Sequence, residues 1–149
     1  MNKGMFTSKK DDWRTPNSLY ERLDVIYNFK LDAAASNENH KAPIWFTKDQ
    51  NALLQDWNVG GSVFCNPPYG KGIGRWVEKA YLEALKGITI VLLIPARTET
   101  RWFQDYILKP AREGAAKILF VRGRIKFEDE NGTARYNAPF PSAIVVYNT

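Results

Sequence analysis

Two hydrophobic periods alternate along the chain and predict helices between strands. Apolar residues spaced three and four apart predict amphipathic helices over 19–27, 73–85 and 102–107, with a shorter helix over 51–57. Thr15 and Pro16 predict the start of the first helix, with the threonine as its N-cap. Short apolar stretches predict strands over 29–34, 44–47, 62–65, 88–94, 117–121, 124–127 and 143–147.

This order of elements predicts an α/β fold with a mainly parallel sheet, right-handed crossovers and antiparallel strands at the C-terminus. In such sheets, ligands bind beyond the carboxyl ends of the strands. Asp32 and Asn66 each stand where a predicted strand ends. We therefore expect one crevice to hold both side chains.

Composition limits the classes of protein that fit. The 149 residues predict one domain over 13–149, preceded by a polar and mobile tail over 1–12. No apolar run approaches the ~20 residues of a membrane span, and no secretory core precedes the domain, which predicts a cytoplasmic protein. A net charge of +5 favours polyanionic partners, although moderately basic proteins without such partners are common.

The most informative segment runs from Cys65 to Tyr69, Cys-Asn-Pro-Pro-Tyr. Two prolines fix φ and remove two backbone donors, so nearby carbonyls stay free to accept hydrogen bonds. Asn66 adds a side-chain carbonyl, and Tyr69 adds a ring for stacking. This combination suits a flat substrate that carries an amine. A proline turn that ends a strand is the alternative, but it leaves the flanking asparagine and tyrosine unexplained.

Metal and thiol chemistry are not indicated. The chain has one histidine, His40, and one cysteine, Cys65, so no zinc-type cluster and no internal disulfide are expected. Cys65 precedes Asn66 within a predicted strand. We interpret it as a small buried residue and not as a nucleophile.

The chain resembles the phage-type DNA N6-adenine methyltransferase (Dam) family over nearly its whole length. The segments that carry the resemblance are 12–16 (Asp-Trp-Arg-Thr-Pro), 31–36 (Leu-Asp-Ala-Ala-Ala-Ser), 64–69 (Phe-Cys-Asn-Pro-Pro-Tyr), 93–97 (Leu-Ile-Pro-Ala-Arg) and 123–127 (Gly-Arg-Ile-Lys-Phe). The resemblance implies a reduced Rossmann-like fold and transfer of a methyl group from S-adenosylmethionine to the N6 amine of adenine in DNA. It also implies a phage or prophage protein in a bacterial host cell, as a monomer or homodimer.

The resemblance assigns catalytic roles to Asn66, Pro67, Pro68 and Tyr69. The Asn66 amide oxygen and the Pro67 carbonyl would accept hydrogen bonds from the adenine amino group, while Tyr69 stacks on the flipped base. Pro68 completes the motif and keeps it stiff.

The resemblance also implies a set of cofactor-binding residues: Trp13, Thr15, Pro16, Asp32, Ala33, and Asp49 or Asn51. Asp32 would contact the cationic amino group of the methionine part. Alternatives remain for each site: a turn aspartate bonded to its own backbone for Asp32, helix capping for Thr15 and Pro16, and a surface turn for Asp49 and Asn51. The segment 33–36 stands where most methyltransferases carry a glycine-rich loop.

DNA contacts are expected from cations in three places. Arg122, Arg124 and Lys126 alternate with other residues, which predicts one charged face of an extended segment. Arg97 and Arg101 follow the buried strand, and Lys71 lies in the glycine-containing segment 70–74. For Arg122, Arg124 and Lys126, the alternative is that the charges prevent an edge strand from pairing with another chain. For Lys71, the alternative is a loop that only leads into the next helix.

Other functions remain compatible with the same motif. Methylation of RNA adenine, of cytosine N4 or of a protein glutamine amide would require the same hydrogen-bond acceptors for an amine. A noncatalytic nucleic-acid-binding protein that kept the fold but lost cofactor affinity is the alternative from another class.

Overall fold

The computed structural model describes residues 12–129 and 131–149, and for residues 134–136 it describes the backbone only. The eight strands are β1 (Phe29–Asp32), β2 (Ile44–Trp45), β3 (Ser62–Cys65), β4 (Ile90–Pro95), β5 (Ala116–Phe120), β6 (Lys126–Glu128), β7 (Ala134–Asn137) and β8 (Ser142–Tyr147). Six of them form a sheet in the order β2-β1-β3-β4-β8-β5. The first four of these run parallel, and β8 is antiparallel to both β4 and β5. The expected α/β architecture with antiparallel C-terminal strands is confirmed.

Helices cover both faces of this sheet. They are α1 (Asn17–Tyr27), α2 (Ile73–Ala84) and a third helix in which α3 (Arg101–Phe103), a π-helical segment (Gln104–Leu108) and α4 (Lys109–Arg112) follow one another. Tyr20 of α1 packs on Phe64, whose strand partner is Val91. Tyr81 of α2 packs on Tyr147, whose partner is Ile90. Because neighbouring residues of a strand face opposite ways, α1 and α2 lie on opposite sides of the sheet.

The buried strands account for most of the core. Every residue of β4 and of β8 is buried, as the unbroken apolar run of β4 predicts for a central strand. A buried residue in the long connection before β3, Trp57, donates its backbone N–H to Glu83 at 2.5 Å and its ring N–H to the Ala52 carbonyl at 2.9 Å. These bonds attach the connection to α2 and so fix the start of β3.

A second, two-stranded sheet lies beside the first. It pairs β6 with β7 in antiparallel fashion, and Arg14 forms an isolated bridge to Glu128 at the end of β6. The Glu128 amide donates to the Arg14 carbonyl at 3.0 Å, and the Asn17 amide donates to the Glu128 carboxylate at 2.8 Å. The segment before α1 is thereby attached to the hairpin.

Several local expectations were wrong. Thr15 is not the N-cap of α1, because Pro16 occupies that position and the cap makes no side-chain hydrogen bond. Ile26 is 69% exposed, and Tyr20 is the buried residue of this helix. In place of the predicted helix over 51–57 there is one 3-10 turn, Ala52–Leu54, and another, Lys48–Gln50, precedes this range. Strand β7 was not predicted, and the predicted tail lies outside the described residues except for its last residue, Asp12.

Membrane insertion and metal binding have no structural support in the part of the chain that is described. No helix over 12–129 and 131–149 combines the length and apolar character needed to cross a bilayer. Over the same residues, no three histidine, cysteine, aspartate or glutamate side chains are grouped to hold a metal ion.

Candidate active site

The carboxyl ends of β1 and β3 bring the predicted site residues together. Asp32, the last residue of β1, pairs in register with Phe64, and Asn66 follows two residues later. The Ala33 amide continues the pairing by donating to the Phe64 carbonyl at 3.0 Å. The expected proximity of Asp32 and Asn66 therefore follows directly from the register of two adjacent parallel strands.

The side-chain amide of Asn66 has a defined direction. Its nitrogen donates to the Trp13 carbonyl and to the Thr15 hydroxyl, the latter at 3.0 Å. Its oxygen is buried and has no hydrogen-bond partner among the described residues, a condition that it shares there with the hydroxyl of Ser142. Buried acceptors are normally paired, and leaving one unpaired costs about 1–3 kcal/mol. The Asn66 oxygen is thus a ready acceptor for a donor from elsewhere.

The two prolines add a second free acceptor. Pro67 is buried and Pro68 is exposed. Within the described ranges, no hydrogen bond to the Pro67 carbonyl is formed by protein groups. Since neither proline has an N–H group, local backbone pairing cannot easily occupy this carbonyl.

Tyr69 completes the motif and is held firmly. Its hydroxyl donates to the Leu93 carbonyl of β4 at 2.9 Å, and the residue is only 5% exposed. Burial raises the pKa of the Tyr69 phenol well above its usual value, which keeps the hydroxyl neutral and a donor. The ring is therefore fixed in position by the sheet beneath it.

An aromatic cluster of Trp13, Tyr69, Phe127 and Phe140 covers the motif. Phe140 contacts Tyr69 with ring centroids 5.5 Å apart and Trp13 with centroids 5.1 Å apart, both edge to face. Phe127 contacts Trp13 at 5.4 Å and Tyr69 at 6.2 Å. These rings enclose Tyr69, and the Asn66 oxygen is buried as well, so neither group is accessible to solvent with the rings in place.

Asp32 is buried at the end of β1. Its two carboxylate oxygens accept hydrogen bonds from the Lys41 amide at 2.9 Å and the Ala34 amide at 3.4 Å. Burial raises the pKa of Asp32 to about 6, although the two amides partly oppose that shift. The carboxylate thus accepts hydrogen bonds from nearby backbone amides, as the alternative of a turn aspartate predicts. A carboxylate has about four acceptor sites, so lone pairs remain for a cationic ligand.

The other predicted cofactor residues differ in exposure. Ala33 is fully buried beside Asp32, and Pro16 is half-buried at the start of α1. Asp49 and Asn51 are exposed in the segment that follows β2. Parallel pairing places this segment at the same edge of the sheet as Asp32, because the Phe46 amide donates to the Asp32 carbonyl at 3.1 Å.

The predicted DNA-contacting cations are all exposed: Lys71, Arg97, Arg101, Arg122, Arg124 and Lys126. Lys71 follows β3, and Arg97 and Arg101 follow β4, so these three lie toward the carboxyl edge. Arg97 has Glu99 at 3.4 Å.

The alternation predicted for Arg122, Arg124 and Lys126 is correct only in part. Arg124 and Lys126 point outward while Ile125 and Phe127 are buried, as expected. Strand β6 begins only at Lys126, however, and Gly123 turns the chain with φ 72°. Arg122 therefore lies before a turn and is not part of the extended segment.

Cys65 is buried, as predicted. Burial raises the pKa of its thiol well above the usual value, so the thiolate that nucleophilic attack requires is disfavoured.

Sequence reasoning missed two of the rings that cover the site, Phe127 and Phe140. For Phe127 a signal was available, since it alternates with the cations that were singled out. Phe140 had none, because it stands in an irregular segment between β7 and β8.

Comparisons with known proteins agree on one family. The model of the family described as DNA N-6-adenine-methyltransferase (Dam) matches residues 4–149. A protein of Escherichia phage T1 named "DNA N-6-adenine-methyltransferase" is 32% identical over 124 residues, covering 83% of this chain and 49% of that protein. A Haemophilus phage HP1 protein of the same name is 29% identical over 143 residues, covering 94% of this chain and 80% of its own. The chain thus spans about half the length of the first relative.

The raised pKa of Asp32 predicts a pH-dependent stability. Because the folded pKa of about 6 lies above the ordinary value of 3.8, the folded state binds this proton more tightly. That stabilisation is complete below about pH 4 and is lost as pH rises through about 6. Relative to an Asp32→Asn variant, the wild type should lose about 3 kcal/mol of unfolding free energy between pH 4 and pH 7. Denaturant unfolding of both proteins at several pH values measures this loss. An equal dependence of the two unfolding free energies on pH would contradict the prediction.

Proposed function

The chain belongs to the DNA N-6-adenine-methyltransferase (Dam) family, and from this premise we propose that it transfers a methyl group from S-adenosylmethionine to the N6 amine of adenine in DNA. The relatives are phage proteins, so we propose that it acts in the cytoplasm of a bacterial cell that carries the phage or prophage.

The observation that supports this most directly is the buried, unpaired oxygen of Asn66. The nitrogen of the same amide is held by Trp13 and Thr15, and the neighbouring Pro67 carbonyl is free of protein partners in the described ranges. Two fixed acceptors side by side match the two hydrogens of an exocyclic amine. A site without a donor of its own is complementary to a ligand that brings two.

These acceptors prepare the amine for methylation. Each neutral hydrogen bond contributes only ~0.5–1.5 kcal/mol, whereas holding the reacting atoms in line supplies up to about 7–11 kcal/mol of the barrier. With both N–H bonds directed at Asn66 and Pro67, the nitrogen becomes pyramidal, and its lone pair is less conjugated with the ring and points toward the donor. After transfer, the methylated nitrogen releases its surplus proton to water, and the thioether product of the donor leaves. S-adenosylmethionine supplies the electrophilic methyl group when it is bound. No covalent enzyme intermediate is needed, in keeping with a neutral, buried Cys65.

The cofactor is proposed to lie along the carboxyl edge of β1 and β2. Asp32 has the chemistry to receive the ammonium group of the methionine part, since its carboxylate is at a strand end and keeps free lone pairs. Ala33 offers little bulk beside it. Asp49 or Asn51, exposed after β2, is suited to the ribose hydroxyls or the adenine, and the segment that contains Trp13, Thr15 and Pro16 borders the same region.

Entry of the base requires the aromatic cluster to separate. Each ring pair contributes about 0.5–1.5 kcal/mol beyond its area burial, and an unpaired Asn66 oxygen costs about 1–3 kcal/mol. The ring contacts together exceed that cost, so the closed form is the stable one without DNA. A flipped adenine offsets the opening by stacking on Tyr69 and by satisfying the Asn66 oxygen.

DNA is proposed to lie across the exposed cations at this edge. Phosphates give non-specific affinity through counterion release. Arg124 and Lys126 project from the hairpin that also carries Phe127, while Lys71, Arg97 and Arg101 extend the charge past β3 and β4.

The direct test is transfer of labelled methyl from S-adenosylmethionine to DNA, followed by nucleoside analysis. N6-methyl-2′-deoxyadenosine as the labelled nucleoside supports the proposal. Label on cytosine N4, on RNA or on protein would replace it with the corresponding alternative. Calorimetry separates the noncatalytic alternative, since a protein that has lost the cofactor site gives no binding heat with S-adenosylmethionine.

Asn66→Ala should abolish methyl transfer while S-adenosylmethionine binding stays within a few-fold, because the substitution removes an acceptor for the substrate amine and no proposed cofactor contact. Turnover assays and calorimetry measure the two effects. Asn58→Ala is the matched control, since Asn58 is an exposed asparagine before β3 whose side chain accepts from Gly60. Retained turnover in Asn66→Ala would refute the role.

Arg124→Ala should weaken DNA binding and reduce the slope of log K against log salt by about one, the effect of losing one phosphate contact. Arg112→Ala is the control, because Arg112 is exposed at the end of the helix that returns to the opposite edge of the sheet. Binding titrations at several salt concentrations measure both slopes. An unchanged slope for Arg124→Ala would remove this residue from the DNA interface.

A further inference from the structure

We propose that Thr15 is a positioning residue whose hydroxyl holds the Asn66 amide in the direction that the Trp13 carbonyl selects, so that the amide oxygen and not its nitrogen faces the substrate. The inference deepens the proposed function and rests on it for its catalytic consequence. It assigns Thr15 a task different from cofactor contact.

An asparagine amide can be placed in two orientations that differ by exchange of oxygen and nitrogen. Only one of them leaves an acceptor for an incoming amine; the other would present N–H donors and repel it. The Trp13 carbonyl selects between them, because it can only accept and therefore requires the Asn66 nitrogen. The Thr15 hydroxyl accepts a second hydrogen bond from the same nitrogen and so holds the amide in this orientation. The reversed orientation would set the Asn66 oxygen against the Trp13 carbonyl, which has no proton to donate.

Thr15 is suited to this task by its surroundings. It is 3% exposed, so water does not compete for its hydroxyl. Pro16 directly follows it, and proline fixes the backbone that carries the hydroxyl toward Asn66. Its hydroxyl makes no cap bond to α1, although threonine before a helix often does so. The structure thus uses this threonine for a contact between residues 51 positions apart.

The position of Thr15 also couples the site to the hairpin. Arg14 next to it pairs with Glu128 of β6, and Trp13 packs on Phe127 of the same strand. The segment that orients Asn66 is therefore held from both sides, by α1 and by β6. This support keeps the hydroxyl in place while the rings of Phe127 and Phe140 cover the site.

Thr15→Val tests the proposal, because it keeps the shape of the side chain and removes the hydroxyl. Its kcat for methyl transfer should fall about tenfold, the order expected for one neutral hydrogen bond, while the KM for S-adenosylmethionine and for DNA stays within about twofold. Thr15→Ser should restore most of kcat, since it returns the hydroxyl. Hydrogen exchange of the Asn66 side-chain amide, followed by NMR, should be slow in the wild type and in Thr15→Ser and faster in Thr15→Val.

Thr89→Val is the matched control. Thr89 lies just before β4, at the opposite edge of the sheet, and its hydroxyl donates to the Asn148 carbonyl at 2.5 Å. Thr89→Val should lose as much stability as Thr15→Val and keep its kcat. This result shows that reduced stability alone does not explain the lower kcat of Thr15→Val.

Three results would overturn the proposal. The first is an unchanged kcat in Thr15→Val. The second is a raised KM for S-adenosylmethionine with unchanged kcat, which would make Thr15 a cofactor contact. The third is unchanged hydrogen exchange of the Asn66 side-chain amide. If the wild type transfers no methyl group to DNA, the proposed function fails, and the exchange measurement alone then decides whether Thr15 orients Asn66.

Discussion

The hydrogen bonds from the Asn66 nitrogen to the segment before α1 are the interaction on which the site depends. They join the carboxyl end of β3 to residues more than fifty positions earlier in the chain. They also give an otherwise symmetrical-looking amide one direction, with its oxygen left unpaired. Since Arg14 in the same segment pairs with β6, this segment joins three distant parts of the chain. The site therefore forms only when the sheet, α1 and the hairpin are all in place.

Destabilising polar groups and stabilising ring contacts occur close together in this assembly. An unpaired buried acceptor and a buried carboxyl, Asp32, both reduce stability. The aromatic cluster around Tyr69 adds edge-to-face contacts. A ligand that supplies donors to Asn66 and a cation near Asp32 reverses both costs at once. Polar groups that reduce stability in the free protein thus become favourable only when such a ligand is bound.

The parts of the fold that sequence could predict are those set by local pattern. Strands β3 and β4 and helix α2 follow from apolar periodicity, and their order fixes a parallel sheet with Asp32 and Asn66 at one edge. The partner of Thr15 could not be predicted this way. A threonine before a proline satisfies the rule for a helix cap equally well, and only the tertiary structure decides between the cap and Asn66. Strand β7 and the place of Phe140 depend likewise on long-range packing, for which a single sequence carries no periodic signal.

The hairpin combines a cation that is proposed to contact DNA with a ring of the aromatic cluster. Side chains of a strand alternate between two faces, so β6 directs Lys126 outward while Phe127 packs on Trp13 and Tyr69. The cation and the ring belong to one backbone, and neither can be displaced far without the other. A force on the outer face of β6 is consequently transmitted to the rings above Asn66. The period of one strand thus places both on the same three residues, Lys126 to Glu128.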